Sequence, residues 1–225
     1  MQQTLSLSQL ARYTASQINT FFPDGNVVAP ECLEDVLPNV LSRLERCLCG
    51  IRNPYFSRDG KAFFNHLHSD QYSMYLYLLG NEAFCDTSTR HSDLAVKSYL
   101  LNKAMHCLDV YYEVKLPEVF WLAHAVGAVL GRATYGNGLV VMQGCTVGNK
   151  GGQYPVLGDR IVLCAKSTVL GGVLGSDVCV GSESLVIGET IPDSSTVVGL
   201  SPKLRILHKK SELIDNYFIQ ESVHV

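Results

Sequence analysis

The chain has 225 residues, 47% of them hydrophobic and 17% charged, with a mean hydropathy of +0.12. A chain of this length and composition buries a sizeable core, which excludes disorder as its main state. Eighteen Lys and Arg against 21 Asp and Glu give a net charge of -3, and the densest basic run is only His208-Lys209-Lys210, so nucleic-acid binding by phosphate neutralisation is not expected.

The first half reads as helix. Leu5, Leu10, Tyr13, Ile18 and Phe21 recur at near-helical spacing, and Pro23-Asp24-Gly25 closes that segment. Val36, Leu37, Val40, Leu41, Leu44 and Leu48 form a second apolar stripe with Pro38 near its start. A third helix is predicted from Asp70 to Leu79, and a fourth after Ser92 with Leu94, Leu100, Leu101, Met105 and Leu108 on its apolar side. The longest apolar stretch, Val119 to Leu130, has 12 residues and contains His124, too few for the ~20 that span a bilayer. Met1 to Ser6 lacks the basic and apolar regions of a signal peptide. The eight cysteines are scattered without a CxxC or zinc-type spacing, which reads as buried, reduced thiols in a cytoplasmic protein.

Glycine marks the seam between two compositions. Fifteen of the 19 glycines lie between Gly127 and Gly199, a density that would break helices at about 1 kcal/mol per interior glycine. From about Pro117 the pattern has a period of six: Leu157-Gly158-Asp159-Arg160-Ile161-Val162, then Leu163-Cys164-Ala165-Lys166-Ser167-Thr168, and later Leu174 to Cys179 and Val180 to Leu185. Three hexads make one turn of a triangular prism, each flat side a short strand with its opening aliphatic residue inward. One coil cannot bury its own core, so coils must stack. An antiparallel sheet is disfavoured, because Asn137-Gly138 is the one Asn-Gly or Asp-Gly pair in this region. The expected fold class is α+β: a helical domain over 1–112, a parallel β-helix over 113–206 and a short C-terminal tail over 207–225, predicted helical.

The helical leader, the hexads and three local motifs resemble the hexapeptide-repeat acyltransferases, and within them the serine O-acetyltransferase-like branch. His124-Ala125-Val126-Gly127-Ala128-Val129-Leu130-Gly131 resembles the stretch carrying the general base. Gln143-Gly144-Cys145-Thr146-Val147-Gly148 resembles the coil before the active-site loop, and Val198-Gly199-Leu200-Ser201-Pro202-Lys203 the closing turn near the CoA phosphates. The resemblance spans roughly residues 66 to 206. It implies a left-handed β-helix, a homotrimer or dimer of trimers, and acetyl-CoA as cosubstrate in a groove between neighbouring β-helices.

The chemistry such a protein needs can be set against its residues. A hydroxyl is a poor nucleophile at neutral pH, so acetyl transfer requires a base near pKa 7 within hydrogen-bond reach. Of seven histidines only His124 falls in the hexad region; a lone His on an apolar stretch is usually a satisfied core residue, and the motif is what favours catalysis. Asp109, fifteen residues upstream, has the spacing that the resemblance implies for the partner of the base, with a turn Asp as the plain alternative and Glu113 and Glu118 as substitutes. A backbone N–H near Gly144 is the expected oxyanion donor, the pantetheine arm is expected along Ala165 and Ser182, and Lys203 is expected near a CoA phosphate.

On the acceptor side the match weakens. Serine acetyltransferases carry an Asp before the base and an Asp-Arg-His-Pro turn; here these read Ala123 and Gly152-Gln153-Tyr154-Pro155. A serine carboxylate favours an Arg fork, which Gln153 does not supply, while Arg132 does offer a guanidinium. The polar run His66-Leu67-His68-Ser69-Asp70 is either a helix cap or an acceptor pocket. His66, His68, Asp70, Arg132 and Tyr154 are therefore the acceptor-binding candidates. The leading expectation is an O-acetyltransferase acting on a sugar or surface-glycan intermediate. Serine O-acetylation in cysteine biosynthesis is the alternative, although the C-terminal Ile that docks a partner enzyme in that family is replaced by Val225; a non-catalytic scaffold is the third reading. No metal is expected, because a zinc site needs more coil-facing histidines than the single His124.

Overall fold

The computed structural model describes residues 1–86 and 92–219; His91 and the chain end Ser222 to Val225 lie outside them. Strands β1 (Gln2–Gln3), β2 (Ser57–Arg58) and β3 (Lys61–Phe64) form a small sheet beneath the helices, with β3 in the centre. Segments this short carry no period-two signal, so the sequence did not announce them. Helix α1 (Leu7–Phe21) is opened by a capping box in which the Ser6 hydroxyl accepts the Gln9 N–H and the Gln9 side chain accepts the Ser6 N–H. Helix α2 (Pro30–Gly50) begins before the expected stripe, since Pro30 in its first turn lacks only an N–H that has no helical partner. Pro38 lies inside it, and buried Leu33, Leu37, Val40 and Leu44 hold the helix together across the proline.

Helix α3 (Ser69–Cys85) is longer than expected and buried on all sides from Asp70 to Gly80, the central strut of the helical layer. Helix α4 (Ser92–His106) packs on it through Leu94, Ala95, Ser98, Leu101 and Asn102. That three-to-four spacing leaves Leu100 and Met105 exposed, contrary to the apolar side assigned from sequence.

The chain then enters the coils. One face of the prism is built by β5 (Phe120–Leu122), β8 (Leu139–Val141), β11 (Ile161–Leu163), β14 (Cys179–Val180) and β17 (Thr196–Leu200). The second holds β4 (Asp109–Val110), β6 (Val129–Leu130), β9 (Thr146–Gly148), β12 (Thr168–Leu170) and β15 (Leu185–Ile187). The third holds β7 (Thr134–Tyr135), β10 (Val156–Leu157), β13 (Val173–Leu174) and β16 (Thr190–Ile191). Every pairing between coils is parallel, and the first residues of this architecture, Asp109 and Val110, precede residue 113. Val147, Val169 and Val186 stack in register inside the prism, as do Leu157, Leu174 and Ile191. Strand β18 (Lys203–Leu207) folds back antiparallel on β17, and helix α5 (Glu212–Tyr217) is the one helical turn system described in the tail.

The faces differ in a way that positions the site. Leu139–Val141 and Ile161–Leu163 are buried at every residue, because α2, α3 and α5 cover the outside of the first face. On the second and third faces no strand buries more than its inward residue, and Val129, Val156 and Val173 point outward and are exposed. One continuous apolar cluster joins the helices to the coils. No disulfide joins the eight cysteines; Cys47, Cys145, Cys164 and Cys179 are buried as expected, but Cys49, Cys85 and Cys107 are exposed. Among the described residues no helix is long and apolar enough to cross a membrane.

Candidate functional site

The corner between the first and second faces is a column of left-handed residues, Gly127, Gly144, Lys166 and Glu183. Gly144, Lys166 and Glu183 come three residues after Val141, Leu163 and Val180, but Gly127 comes five after Leu122. The lowest coil therefore carries two extra residues at this corner. They bulge outward with His124 at φ 49°, a left-handed conformation that His tolerates better than most residues. The His124 side chain is 81% exposed, although it lies in the most apolar stretch of the chain.

Behind the bulge stands the N-terminus of α3. Asp70, in the first helical turn, is 4% exposed. Its Oδ1 accepts the His124 backbone N–H at 3.2 Å and lies 3.5 Å from the His124 Nδ1. Its Oδ2 accepts the Trp121 indole N–H at 3.1 Å. The N-terminal end of the helix dipole adds to the stabilisation of this buried carboxylate. A cavity of about 90 Å³ opens here, lined by Ser69, Asp70, Ser73, His106, His124 and Val126. Burial holds the His106 imidazole below its usual pKa, with the Asp70 charge acting in the opposite direction. A larger groove between α2, α5 and the coils, lined by Gly50, Asp159 and Phe218 among others, contains none of these residues.

The other sequence candidates fall into three groups. Asp109 does not reach His124: its carboxylate accepts from Lys103 Nζ at 2.6 Å and from the Tyr99 hydroxyl at 2.8 Å. Burial pushes the Asp109 carboxyl up, but those two donors outweigh it and hold it below the usual range. Glu113 pairs instead with Arg132, at 3.2 Å. Gly144 does not offer its N–H to an oxyanion, because that N–H donates to the Val126 carbonyl at 2.9 Å in the ladder that stacks one corner on the next.

Ala165 and Ser182 lie on the same edge as His124. The same ladder continues from Lys166 N–H to the Gln143 carbonyl and from Glu183 N–H to the Ala165 carbonyl. At about 4.8 Å per coil, Ala165 and Ser182 stand roughly 10 and 14 Å above Val126. The turn from Leu200 to Lys203 ends that edge, with Leu200 beside Leu185 and the Ser201 N–H donating to the Leu185 carbonyl. Lys203 is exposed there.

The acceptor candidates are dispersed. His66 is tied to Thr4, its Nδ1 at 2.7 Å from the hydroxyl, with its ring edge-on to Tyr13. His68 precedes α3 without a side-chain capping bond, and its ring packs near Tyr55 and Phe56. Asp70 alone of this run reaches His124. Arg132 and Tyr154 lie at the next edge of the prism, between the second and third faces. There a seven-residue loop over 149–155 replaces the two-residue turns at 171–172 and 188–189, closed by mutual backbone bonds between Lys150 and Gln153. Sequence reasoning passed over His106 and the bond from Trp121 to Asp70; the spacing from Leu122 to Gly127 was the available sign of the bulge. Among the described residues no group of three or more His, Cys, Asp or Glu is placed to hold a metal ion.

The comparisons with known proteins agree on the architecture. No protein-family model matches the chain. It is 30% identical over 99 residues to serine acetyltransferases of Staphylococcus aureus (strain Mu50 / ATCC 700699) and Staphylococcus epidermidis (strain ATCC 12228 / FDA PCI 1200), a match covering 41% of this chain. The chain spans about half the length, 46%, of these curated relatives. Among solved structures, serine acetyltransferase from Neisseria gonorrhoeae matches with a TM-score of 0.69 at 21% identity, over 94% of this chain and 83% of that one. A serine acetyltransferase in complex with CoA matches with a TM-score of 0.66 at 17% identity, over 90% and 85%. The helical leader and the stacked parallel coils are thus the fold of the serine acetyltransferase-like branch of hexapeptide-repeat proteins, as the sequence motifs implied.

Proposed function

We propose that the chain is an acetyl-CoA-dependent O-acetyltransferase in which His124 is the general base, and that L-serine is its acceptor. The observation that carries this reading is the bulge: two extra residues lift one histidine out of an apolar coil, at the foot of the edge that holds Ala165, Ser182 and Lys203. In the reaction the acceptor hydroxyl loses its proton to His124 as its oxygen bonds to the thioester carbonyl carbon. The carbon–sulfur bond then breaks, and the imidazolium returns the proton to the departing CoA thiolate. An O-acetyl ester and free CoA result, and no other reactant is needed. Lys203 pairs with a CoA phosphate, and the small residues at 165 and 182 leave backbone open to the pantetheine arm.

The relatives named above favour serine over the sugar expected from the sequence. With no Arg in the substrate turn, the exposed Arg132 at the next edge of the prism supplies the guanidinium for the serine carboxylate. His124 and Arg132 meet in one site when edges of neighbouring copies come together, which also covers exposed Val129, Val156 and Val173; the assembly is therefore a trimer or a multiple of three. The test is release of CoA thiol from acetyl-CoA with L-serine and with a panel of sugars, the ester being identified by mass spectrometry. Serine-dependent release with O-acetylserine as product is expected. Release with sugars alone would restore the glycan reading, and no release with any acceptor would leave a scaffold.

A further inference from the structure

We propose that Asp70 is the positioning residue of His124: its carboxylate accepts a hydrogen bond from the Nδ1–H of the imidazole and leaves Nε2 as the atom that takes the acceptor proton. The inference rests on His124 being the base, and it moves the partner's role from the coil to the helical domain.

Four observations support it. A carboxylate buried this deeply is stable only with donors around it, and Asp70 has two N–H donors, Trp121 Nε1 and the His124 backbone, at the N-terminal turn of α3. The donors divide the work. Trp121 fixes Oδ2 and is itself held edge-on between Phe56 and Tyr217, so the carboxylate cannot rotate away. The His124 backbone N–H fixes Oδ1, which places the Nδ1 of the same residue 3.5 Å from that oxygen. Catalytic hydrogen bonds that are long in a free enzyme commonly shorten in the Michaelis complex. Finally, Asp109 is already engaged by Lys103 and Tyr99. Around the cavity the titratable groups facing His124 are Asp70 from α3 and His106 from the end of α4, while Ala125 and Val126 on the coil carry none.

The test uses the full chain and two readouts. Nitrogen-detected NMR of the His124 ring should show the neutral form protonated at Nδ1. In Asp70→Asn, whose one side-chain oxygen keeps the backbone N–H only by turning its amide NH2 toward the Trp121 indole N–H, the acid limb of kcat/KM should move to lower pH, because the carboxylate beside the ring is gone. The kcat should fall about 10- to 100-fold, with KM for acetyl-CoA within about twofold. A neutral wild-type ring protonated at Nε2 overturns the proposal, and so does a folded Asp70→Asn variant with an unmoved acid limb. Should that variant not fold, the wild-type tautomer decides alone. A protein that transfers acetyl to no acceptor would remove the functional reading instead, and the ring tautomer would still judge Asp70.

Discussion

Asp109 holds Lys103 at 2.6 Å, a contact made across the junction where α4 gives way to the first coil strand. The pair is partly exposed, with side chains 33% and 47% accessible, so solvent screening keeps its value below about 1 kcal/mol. Its pH dependence has a definite sign. The Asp109 carboxyl is held below its usual value, so its stabilisation is present above the unfolded pKa near 4 and is lost as pH falls through the folded one. Urea unfolding of Asp109→Asn should therefore show a deficit of under about 1 kcal/mol at pH 7 that fades below about pH 4. Turnover should drop less than in Asp70→Asn; a larger drop would return the partner's role to Asp109.

The left-handed bulge separates stability from function at a single position. His124→Ala should lower kcat by about 10² to 10⁴ while acetyl-CoA binding and assembly persist. His124→Gly should be equally inactive but more stable than the alanine variant by about 0.5 kcal/mol. Alanine at a positive φ costs about 1 to 2 kcal/mol, whereas glycine's extra backbone entropy costs about 0.5 to 1. Thermal melts of the two variants side by side check the order.

Much of this was legible in the sequence, for a reason that particular residues make clear. Stacked coils repeat one local environment, so Val147, Val169 and Val186 occupy the same inward position and announce it by their spacing. His124 was readable because it interrupts that repeat. Asp70 was not assignable to it, since the two lie 54 residues apart and meet only because α3 packs on β5. The fifteen-residue step to Asp109 did place it in the lowest strand of the second face, beside Val129, but the carboxylate's partners are Tyr99 and Lys103, chosen by where α4 ends. Gly144 carried a glycine signal that belongs to the left-handed corner, φ 67°, rather than to an oxyanion.

Glycines at the other two corners make a sharper stability prediction. A Cβ on Gly158 would lie 2.6 Å from the Gly175 carbonyl carbon of the next coil, whereas one on Gly151 would meet nothing within 4 Å. Backbone cannot yield as a flexible side chain does. Gly158→Ala should therefore cost about 1 to 3 kcal/mol or more by overpacking, and propagate into the coils above. Gly151→Ala should cost only the penalty of its φ of 57°, about 1 kcal/mol. Equal losses in denaturant midpoint for the two would mean that the coils are not stacked in this register.

On the proposed serine reading, Arg132 is the residue that holds the acceptor's carboxylate. Its guanidinium is 69% exposed and makes one 3.2 Å contact with Glu113, so most of its five donors are available to a carboxylate fork. The corresponding turn of the serine acetyltransferases reads Gln153-Tyr154 here, and neither side chain can neutralise a carboxylate. A buried carboxylate without a cation costs several kcal/mol, which amounts to some orders of magnitude in specificity. Arg132→Ala should accordingly raise KM for L-serine by at least about tenfold, leave KM for acetyl-CoA unchanged, and spare any activity toward uncharged hydroxyl acceptors. Arg132→Lys should recover only part of the loss, because an ammonium keeps the charge but not the fork. Steady-state kinetics with serine and with its methyl ester as paired acceptors read this directly. If the ester is used as well as serine and Arg132→Ala changes neither, no carboxylate is being recognised at this edge, and the acceptor is a neutral alcohol.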